Sequence, residues 1–203
     1  MENVGNAMSK QVKADNYRNS ISRYNRALKE GFHLECIMLV YNFLEDRFTD
    51  FFVKIDFAKP NNNKVIFNKY RKMDLISLDV PKNRCSLDKL SNKIDIVKTI
   101  VRSIDGPNDY DSVHLRATIN VLRRTRVNEM LTDSFFEALD SWRNERNKTI
   151  HDLMNAKAIN DDHLKGLAVT GFALFRTIDK CDARIKDKTK QEITRLKKQL
   201  HSS

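Results

Sequence analysis

The sequence has few residues that break helices. Its 203 residues include only 5 Gly and 3 Pro. Scarce Gly and Pro, together with many Leu, Lys, Arg and Glu, favour long helices over short strands joined by tight turns. We find no internal repeat and no alternation of strand and helix patterns. The sequence therefore predicts an all-α protein.

Cysteine is scarce as well, and the three that occur form no recognisable framework. Cys36, Cys85 and Cys181 are odd in number and far apart, without the spacing of a zinc site. Cys36 and Cys181 fall in apolar helical patterns, where a thiol packs as a small core side chain. This usage indicates a reducing compartment, and we expect no metal site and no cofactor.

Long hydrophobic segments are also lacking. The longest apolar run, 36–41, is much shorter than the roughly 20 residues that span a bilayer. The first ten residues are polar and lack the apolar core of a signal peptide. We therefore expect a cytoplasmic protein that makes no membrane contact.

Positive charge is in excess. Lys and Arg number 37 against 27 Asp and Glu, which gives a formal net charge of +10 and a pI of about 9.5. Such an excess favours a polyanionic partner, most often a nucleic acid. A solvated basic surface without a ligand is the alternative that charge alone leaves open.

Apolar residues at helical spacing predict a single domain, 1–203, built as a bundle of about five to seven helices. The predicted helices cover 9–30, 32–55, 86–104, 112–126 and 134–154, and a sixth starts at Asp161 or Asp162. Turn signals and basic residues predict an irregular insertion around 57–85. We expect residues 1–8 and about 186–203 to be flexible or extended, although the basic tail has helical spacing and is alternatively a packed or dimerising helix.

The second predicted helix is apolar around most of its circumference, which places it at the centre of the bundle. Glu45 falls on its stripe of Met38, Tyr41, Phe48 and Phe52. A carboxylate at such a position is desolvated, so it requires a partner or a function.

The fifth predicted helix also carries a charge at an apolar position. Its inward stripe is Phe135, Leu139, Trp142, Arg146, Ile150 and Leu153. A buried guanidinium without a partner is costly, so we expect Arg146 to pair with Glu45. Arg143, Asn147 and His151 are spaced four residues apart and share one edge of the same helix.

The segment from Arg146 to His151 resembles the motif of the HEPN superfamily, in which Arg is followed after four to six residues by His, often with Asn directly after the Arg. Other Arg–His pairs in the chain have such a spacing, but only Arg146 is followed by Asn. The stretch 31–48, with Tyr41 and Glu45, resembles the preceding helix of that family, which bears a functional acidic residue. The resemblance implies a HEPN-like helical bundle.

The resemblance also implies RNA cleavage without a metal ion, in which the ribose 2′-OH attacks the adjacent phosphate and leaves a 2′,3′-cyclic phosphate and a 5′-OH. In this chemistry His151 transfers protons and Arg146 stabilises the charge on the phosphorane. Asn147 orients His151 or the phosphate, and Glu45 holds Arg146 in place. Because one motif supplies one imidazole, the resemblance implies a homodimer with a composite site.

Basic residues near the motif and on the fourth predicted helix are the candidate RNA contacts. They are Arg143, Lys148, Arg123, Arg124 and Arg126. The resemblance further implies a toxin or antiphage-defence effector that cuts tRNA or another RNA. An antitoxin or other regulatory protein is then an expected partner.

Alternative interpretations stay open for each of these features. His151 could be a solvent-facing histidine at a helix end, the pair of Glu45 and Arg146 could only fix two helices, and the arginines could form a solvated surface. The functional alternative is a non-catalytic HEPN-like module that binds RNA or a protein. A DNA-binding protein using the arginines of 116–126 is a third hypothesis, without a clear helix-turn-helix to support it. The sequence identifies no partner for His33, His114 or His163.

Overall fold

A computed structural model of the chain describes residues 2–55, 89–106, 113–186 and 188–201. These residues form α-helices and short 3₁₀ turns, which confirms the predicted all-α bundle. The α-helices are α1 (Glu2–Glu30), α2 (His33–Lys54), α3 (Leu90–Arg102), α4 (Val113–Arg124), α5 (Asp133–Met154), α6 (Asp161–Ile185) and α7 (Lys188–His201). The 3₁₀ turns Ser103–Asp105 and Val127–Glu129 follow α3 and α4.

Several boundaries differ from the predicted ones. Helix α1 begins at Glu2, seven residues before the predicted start. Helix α5 begins at Asp133, one residue before the predicted start, and its cap is Thr132, whose hydroxyl accepts a hydrogen bond from the backbone N–H of Phe135 at 3.2 Å. The basic tail forms helix α7, which is the packed alternative for that segment. The predicted insertion around 57–85 lies outside the described residues.

Helix α2 lies at the centre of the bundle, as its apolar circumference predicts. Gly31 separates it from α1 with φ +81°, a left-handed conformation that glycine adopts without strain. The α2 side chains that are fully or almost fully buried are Cys36, Ile37, Val40, Phe43, Leu44, Phe48, Phe51 and Phe52. Cys36 and Cys181 are free buried thiols, as predicted, and Cys85 lies outside the described residues.

Helices α5 and α6 make a close approach at Trp142. The indole Nε1 donates a hydrogen bond to the carbonyl oxygen of Leu167 at 2.8 Å. Gly171 lies directly against the ring, and a Cβ at that position would come within 2.5 Å of it. This contact fixes the position of α5, the helix that carries Arg146 and His151. Within the described ranges no helix has both the length and the apolar character needed to cross a membrane.

Candidate functional site

Arg146 is half-buried where α5 faces α2. Its guanidinium carbon lies 4.3 Å from the centre of the Tyr41 ring. One terminal nitrogen donates to Oδ1 of Asn147 at 3.1 Å, and the other is 3.4 Å from Sδ of Met38. An aromatic face attracts a cation without neutralising it. The guanidinium is thus held in place while it keeps its full positive charge.

The predicted ion pair between Arg146 and Glu45 does not form. Among the described residues, no carboxylate lies at ion-pair distance from Arg146. Glu45 lies beside Tyr41, which is four residues earlier on the same helix and therefore on the same face. Burial and the adjacent Glu45 carboxylate raise the pKa of the Tyr41 hydroxyl, while Arg146 and Arg143 oppose this. Glu45 is thus beside Tyr41 and not paired with Arg146.

The remaining motif residues lie on the outer side of α5. Asn147 and His151 are both exposed and are one helical turn apart. His151 is in the last turn of the helix, and in the described part of the chain its ring has no hydrogen bond or ion pair. Arg143 is half-buried and lies 3.3 Å from Asp140. Lys148 is exposed and only loosely paired with Glu145, at 3.9 Å.

The three candidate arginines of α4 and the turn after it bind partners of their own. Arg123 donates to the backbone carbonyls of Ile104 and Gly106, and so closes the turn after α3. Arg124 pairs at 2.7 Å with the buried Glu192 of α7. Arg126 has a left-handed backbone, with φ 54°, and its Nε is 3.7 Å from Glu129. Arg123 therefore makes a structural contact, and its role as an RNA contact stays a prediction.

Two histidines without an identifiable partner in the sequence do have partners in the structure. The buried His33 places Nδ1 2.8 Å from Oδ1 of Asp161, which joins the first turns of α2 and α6. His163 places Nε2 3.2 Å from the Thr149 hydroxyl and 3.4 Å from Glu145. These partners are distant in sequence or on another helix, so helical spacing gives no sign of them.

Tyr41 is a further candidate site residue, to which the sequence assigned no role. Its position four residues before Glu45 was available as a signal, because the two share a helix face. The spacing does not show that Arg146 lies over the ring, since this depends on how α5 is placed against α2. Among the described residues, no group of three or more His, Cys, Asp or Glu side chains is arranged to hold a metal ion.

The arrangement combines a fixed cation with a proton-transfer group. A guanidinium can bind a phosphate through two parallel hydrogen bonds. The Nε atoms of Arg146 and Arg143 have no hydrogen-bond partner, but both are buried away from solvent, so a phosphate would meet the terminal nitrogens. An exposed imidazole can take up or release a proton near neutral pH. Arg146 faces α2, whereas His151 lies five residues later on the outer side of α5, about 140° around the helix axis.

Comparisons of the chain with protein-family models, curated proteins and solved structures found no match. The resemblance to the HEPN superfamily therefore depends on the stretches 31–48 and 146–151. The contacts between Tyr41 and Arg146 are the structural observation that links these two stretches.

Proposed function

We propose that the protein is a metal-independent endoribonuclease of the HEPN type that cleaves RNA at a composite site in a homodimer. The observation that carries the proposal is the state of Arg146. Its guanidinium is fixed over Tyr41, has no carboxylate partner among the described residues, and lies five residues before the exposed His151 on the same helix. A positive charge that is held but not neutralised favours a phosphate group.

In the proposed reaction the ribose 2′-oxygen forms a bond to phosphorus while the bond from phosphorus to the 5′-oxygen breaks. One imidazole takes the proton from the 2′-OH, and a second imidazole gives a proton to the departing 5′-oxygen. The products are a 2′,3′-cyclic phosphate and a 5′-OH, and no oxidant or reductant is required. Arg146 stabilises the negative charge that develops on the phosphorane oxygens.

Two imidazoles at one phosphate require two copies of the chain, because each motif supplies a single His151. A two-fold axis would bring both copies of His151 to the same cleft. Within each copy, Tyr41 and Asn147 position Arg146, and Glu45 acts through the Tyr41 hydroxyl. Arg143 and Lys148 add positive charge beside the strand.

The excess of 37 basic over 27 acidic residues supports RNA as the partner. We propose a cytoplasmic toxin or antiphage-defence effector that cuts tRNA or another RNA. An antitoxin or other regulatory protein would then restrain it, because uncontrolled RNA cleavage damages the cell that makes the enzyme.

A non-catalytic module that binds RNA or a protein is the second candidate. It is favoured by the absence, in the described part of the chain, of any group that orients the His151 ring. Catalytic imidazoles are usually held by a hydrogen bond to one ring nitrogen. In this second function Arg146 would bind a phosphate or an acidic side chain without cleavage.

The test is cleavage of labelled RNA by the purified protein in EDTA. We expect the parent protein to cut RNA to a cyclic phosphate product and to leave the 2′-deoxy strand intact, because that strand lacks the nucleophile. Arg146→Ala and His151→Ala should each cleave at least about 10²-fold more slowly than the parent. Arg176→Ala, which removes an exposed arginine on α6 that pairs with Asp179, is the matched control and should remain active.

Each outcome of this test separates the candidates. Activity that disappears in EDTA would exclude the metal-independent mechanism. Full activity in both site variants would exclude the assigned residues. RNA binding that requires Arg146, without cleavage by the parent under any of these conditions, would support the binding module.

A further inference from the structure

A second group of cations surrounds a cleft between α4 and α7. The cleft has a volume of about 430 Å³. Its lining includes Arg124, Thr125, Lys188, Gln191, Glu192 and Arg195. Apart from Arg124, these residues belong to none of the contacts that we assign to the cleavage site, and the cleft lies on a different pair of helices from Arg146.

Glu192 is the buried residue that holds the two arginines of the cleft in place. Its side chain is 3% exposed and accepts hydrogen bonds from Arg124 at 2.7 Å and from Arg195 at 2.7 and 3.0 Å. The Arg195 hydrogen bonds, and then those of Arg124, lower the pKa of the Glu192 carboxyl to about 2 despite its burial. The carboxylate is therefore ionised at neutral pH, and it holds both guanidiniums in the wall of the cleft.

Glu192 is the one carboxylate among the described residues that line the cleft, and it leaves positive charge in excess there. Arg124 uses only Nη2 for Glu192, and Arg195 uses Nε and Nη2, so each guanidinium has nitrogen donors that Glu192 does not engage. Lys188 is exposed, and within the described ranges it has no ion pair. Two ordered guanidiniums and an ammonium around one cavity match a phosphate group, which accepts several hydrogen bonds at once.

The apolar side of α7 argues against a membrane as the polyanion. Thr189 is fully buried, and Ile193 is 9% exposed. A helix that lies on a lipid surface needs its apolar face free for insertion. Leu200, near the end of α7, is 56% exposed, but the first half of the helix, which lines the cleft, packs inside the protein. The exposed basic side chains of this half are therefore better suited to a phosphodiester backbone than to a lipid surface.

We infer that the α4–α7 cleft binds a backbone phosphate of RNA, as an anchoring contact separate from the bond that is cleaved. The inference depends on the proposed function only for the identity of the polyanion. Phosphate contacts hold a strand in place without reading its bases. The cleft therefore contributes affinity, and the Arg146 site contributes the chemistry.

The experiment measures binding of a short single-stranded 2′-O-methyl RNA by fluorescence anisotropy at a series of salt concentrations. This strand lacks the nucleophile, so binding is observed without cleavage. We compare Lys188→Gln with Lys190→Gln, a matched control two residues along, also exposed, and directed to the other side of α7. Circular dichroism verifies that both variants keep the parent helix content.

We expect Lys188→Gln to weaken binding several-fold and to lower the slope of log K against log salt by about 0.7, the value for one lost contact to a single strand. Lys190→Gln should leave both quantities close to those of the parent. Equal effects of the two variants would mean that the charge acts as a diffuse field, and would overturn the inference. No effect of Lys188→Gln would overturn it as well.

Vesicles of equal parts phosphatidylcholine and phosphatidylglycerol serve as the second probe. Vesicle binding that depends on Lys188, with RNA binding unchanged, would overturn the assignment to RNA. If Lys188→Gln weakens RNA binding while the parent protein fails to cleave ordinary RNA, then the cleft stands and only the proposed nuclease function fails.

Discussion

Two arginines of this protein lie over tyrosine rings, and their surroundings differ in charge. Arg47 lies 4.4 Å from the ring centre of Tyr17, and Arg146 lies 4.3 Å from that of Tyr41. Arg47 also has three carboxylates within ion-pair distance: Asp50 at 3.4 Å, Asp179 at 3.8 Å and Asp182 at 3.4 Å. In the described part of the chain Arg146 has none.

The difference indicates a structural role for Arg47 and is the basis of the ligand-binding role that we propose for Arg146. The charge of Arg47 is neutralised inside the protein, where it and Lys54 compensate the buried Asp182. The charge of Arg146 has no such compensation among the described residues, where a ring, an amide and a thioether contact it. The same aromatic contact thus occurs in two electrostatic settings, and the nearby carboxylates make the difference.

The largest expected effect comes from removing each arginine in turn. Arg146→Ala should reduce RNA cleavage by about 10²–10³-fold, the cost of losing a group that stabilises transition-state charge. It should change the free energy of unfolding by only about 1 kcal/mol, because a cation–π contact is lost. Cleavage rates and urea denaturation of the same variant give both numbers.

Arg47→Ala should show the opposite pattern. It leaves the buried Asp182 with Lys54 as its remaining cation, which should lower the free energy of unfolding by about 1–3 kcal/mol. Cleavage per folded molecule should stay near that of the parent. If Arg47→Ala were stable and inactive, the assignment of roles to the two arginines would be reversed.

A carboxylate placed beside Arg146 should neutralise its charge, as the nearby carboxylates neutralise the charge of Arg47. Met38 is 43% exposed and its Sδ lies 3.4 Å from an Arg146 terminal nitrogen, so Met38→Glu can form an ion pair there. We expect roughly tenfold weaker RNA binding and cleavage, because the guanidinium then binds an internal anion. Met38→Gln, which has the same shape without the charge, should differ little from the parent; similar losses in both variants would refute the charge argument.

A smaller effect is expected from the ring beneath Arg146. Tyr41→Leu removes the aromatic face and should reduce cleavage several-fold, in line with about 0.5–2 kcal/mol for a cation–π contact. Tyr41→Phe keeps the face and loses only the hydroxyl beside Glu45, so it should retain most of the activity. Comparable losses in Leu and Phe variants, measured as kcat, would show that the hydroxyl matters more than the ring.

The smallest expected effect is a pH dependence confined to the Arg47 side. Burial raises the pKa of the Asp182 carboxyl, and Lys54 and Arg47 offset this only in part. A carboxyl with a raised pKa in the folded state stabilises the fold below its unfolded pKa and loses that contribution as the pH rises through the folded pKa. Urea titrations at several pH values should show the parent gaining stability relative to Asp182→Asn as the pH falls towards the usual range of an aspartate. A constant difference between the two proteins would contradict this.

The features that sequence could predict are those set by one helix at a time. The all-α class, the central position of α2, the buried Trp142 and the unusual location of Arg146 all follow from apolar spacing. The neutralised state of Arg47 and the orientation of Glu45 do not follow from it. They depend on the rotation of α2 against α5 and α6, which decides whether a side chain meets a ring, a carboxylate or another helix.

The contacts of the α4 arginines also depend on how helices pack against each other, so the sequence did not predict them. Their clustering in sequence suggests one surface, yet Arg123 turns to the carbonyls of Ile104 and Gly106 while Arg124 meets Glu192 on α7. Partners that are 68 or more residues apart, as Arg124 and Glu192 are, leave no mark in a local pattern. Sequence therefore located the candidate residues but not the bonds that assign their roles.

Gly171 affects the position of His151, which lies in the last turn of α5. Because Gly171 has no side chain, the indole of Trp142 can pack directly against α6, and this contact is the point about which α5 could rotate. His151 lies nine residues beyond Trp142, about 14 Å along the helix axis. A rotation of a few degrees at the pivot would displace the imidazole by about an ångström, which is enough to misalign a proton transfer. A residue without a side chain thus determines where the His151 ring lies, and if His151 is catalytic as proposed, Gly171→Ala should lower kcat more than it lowers RNA affinity.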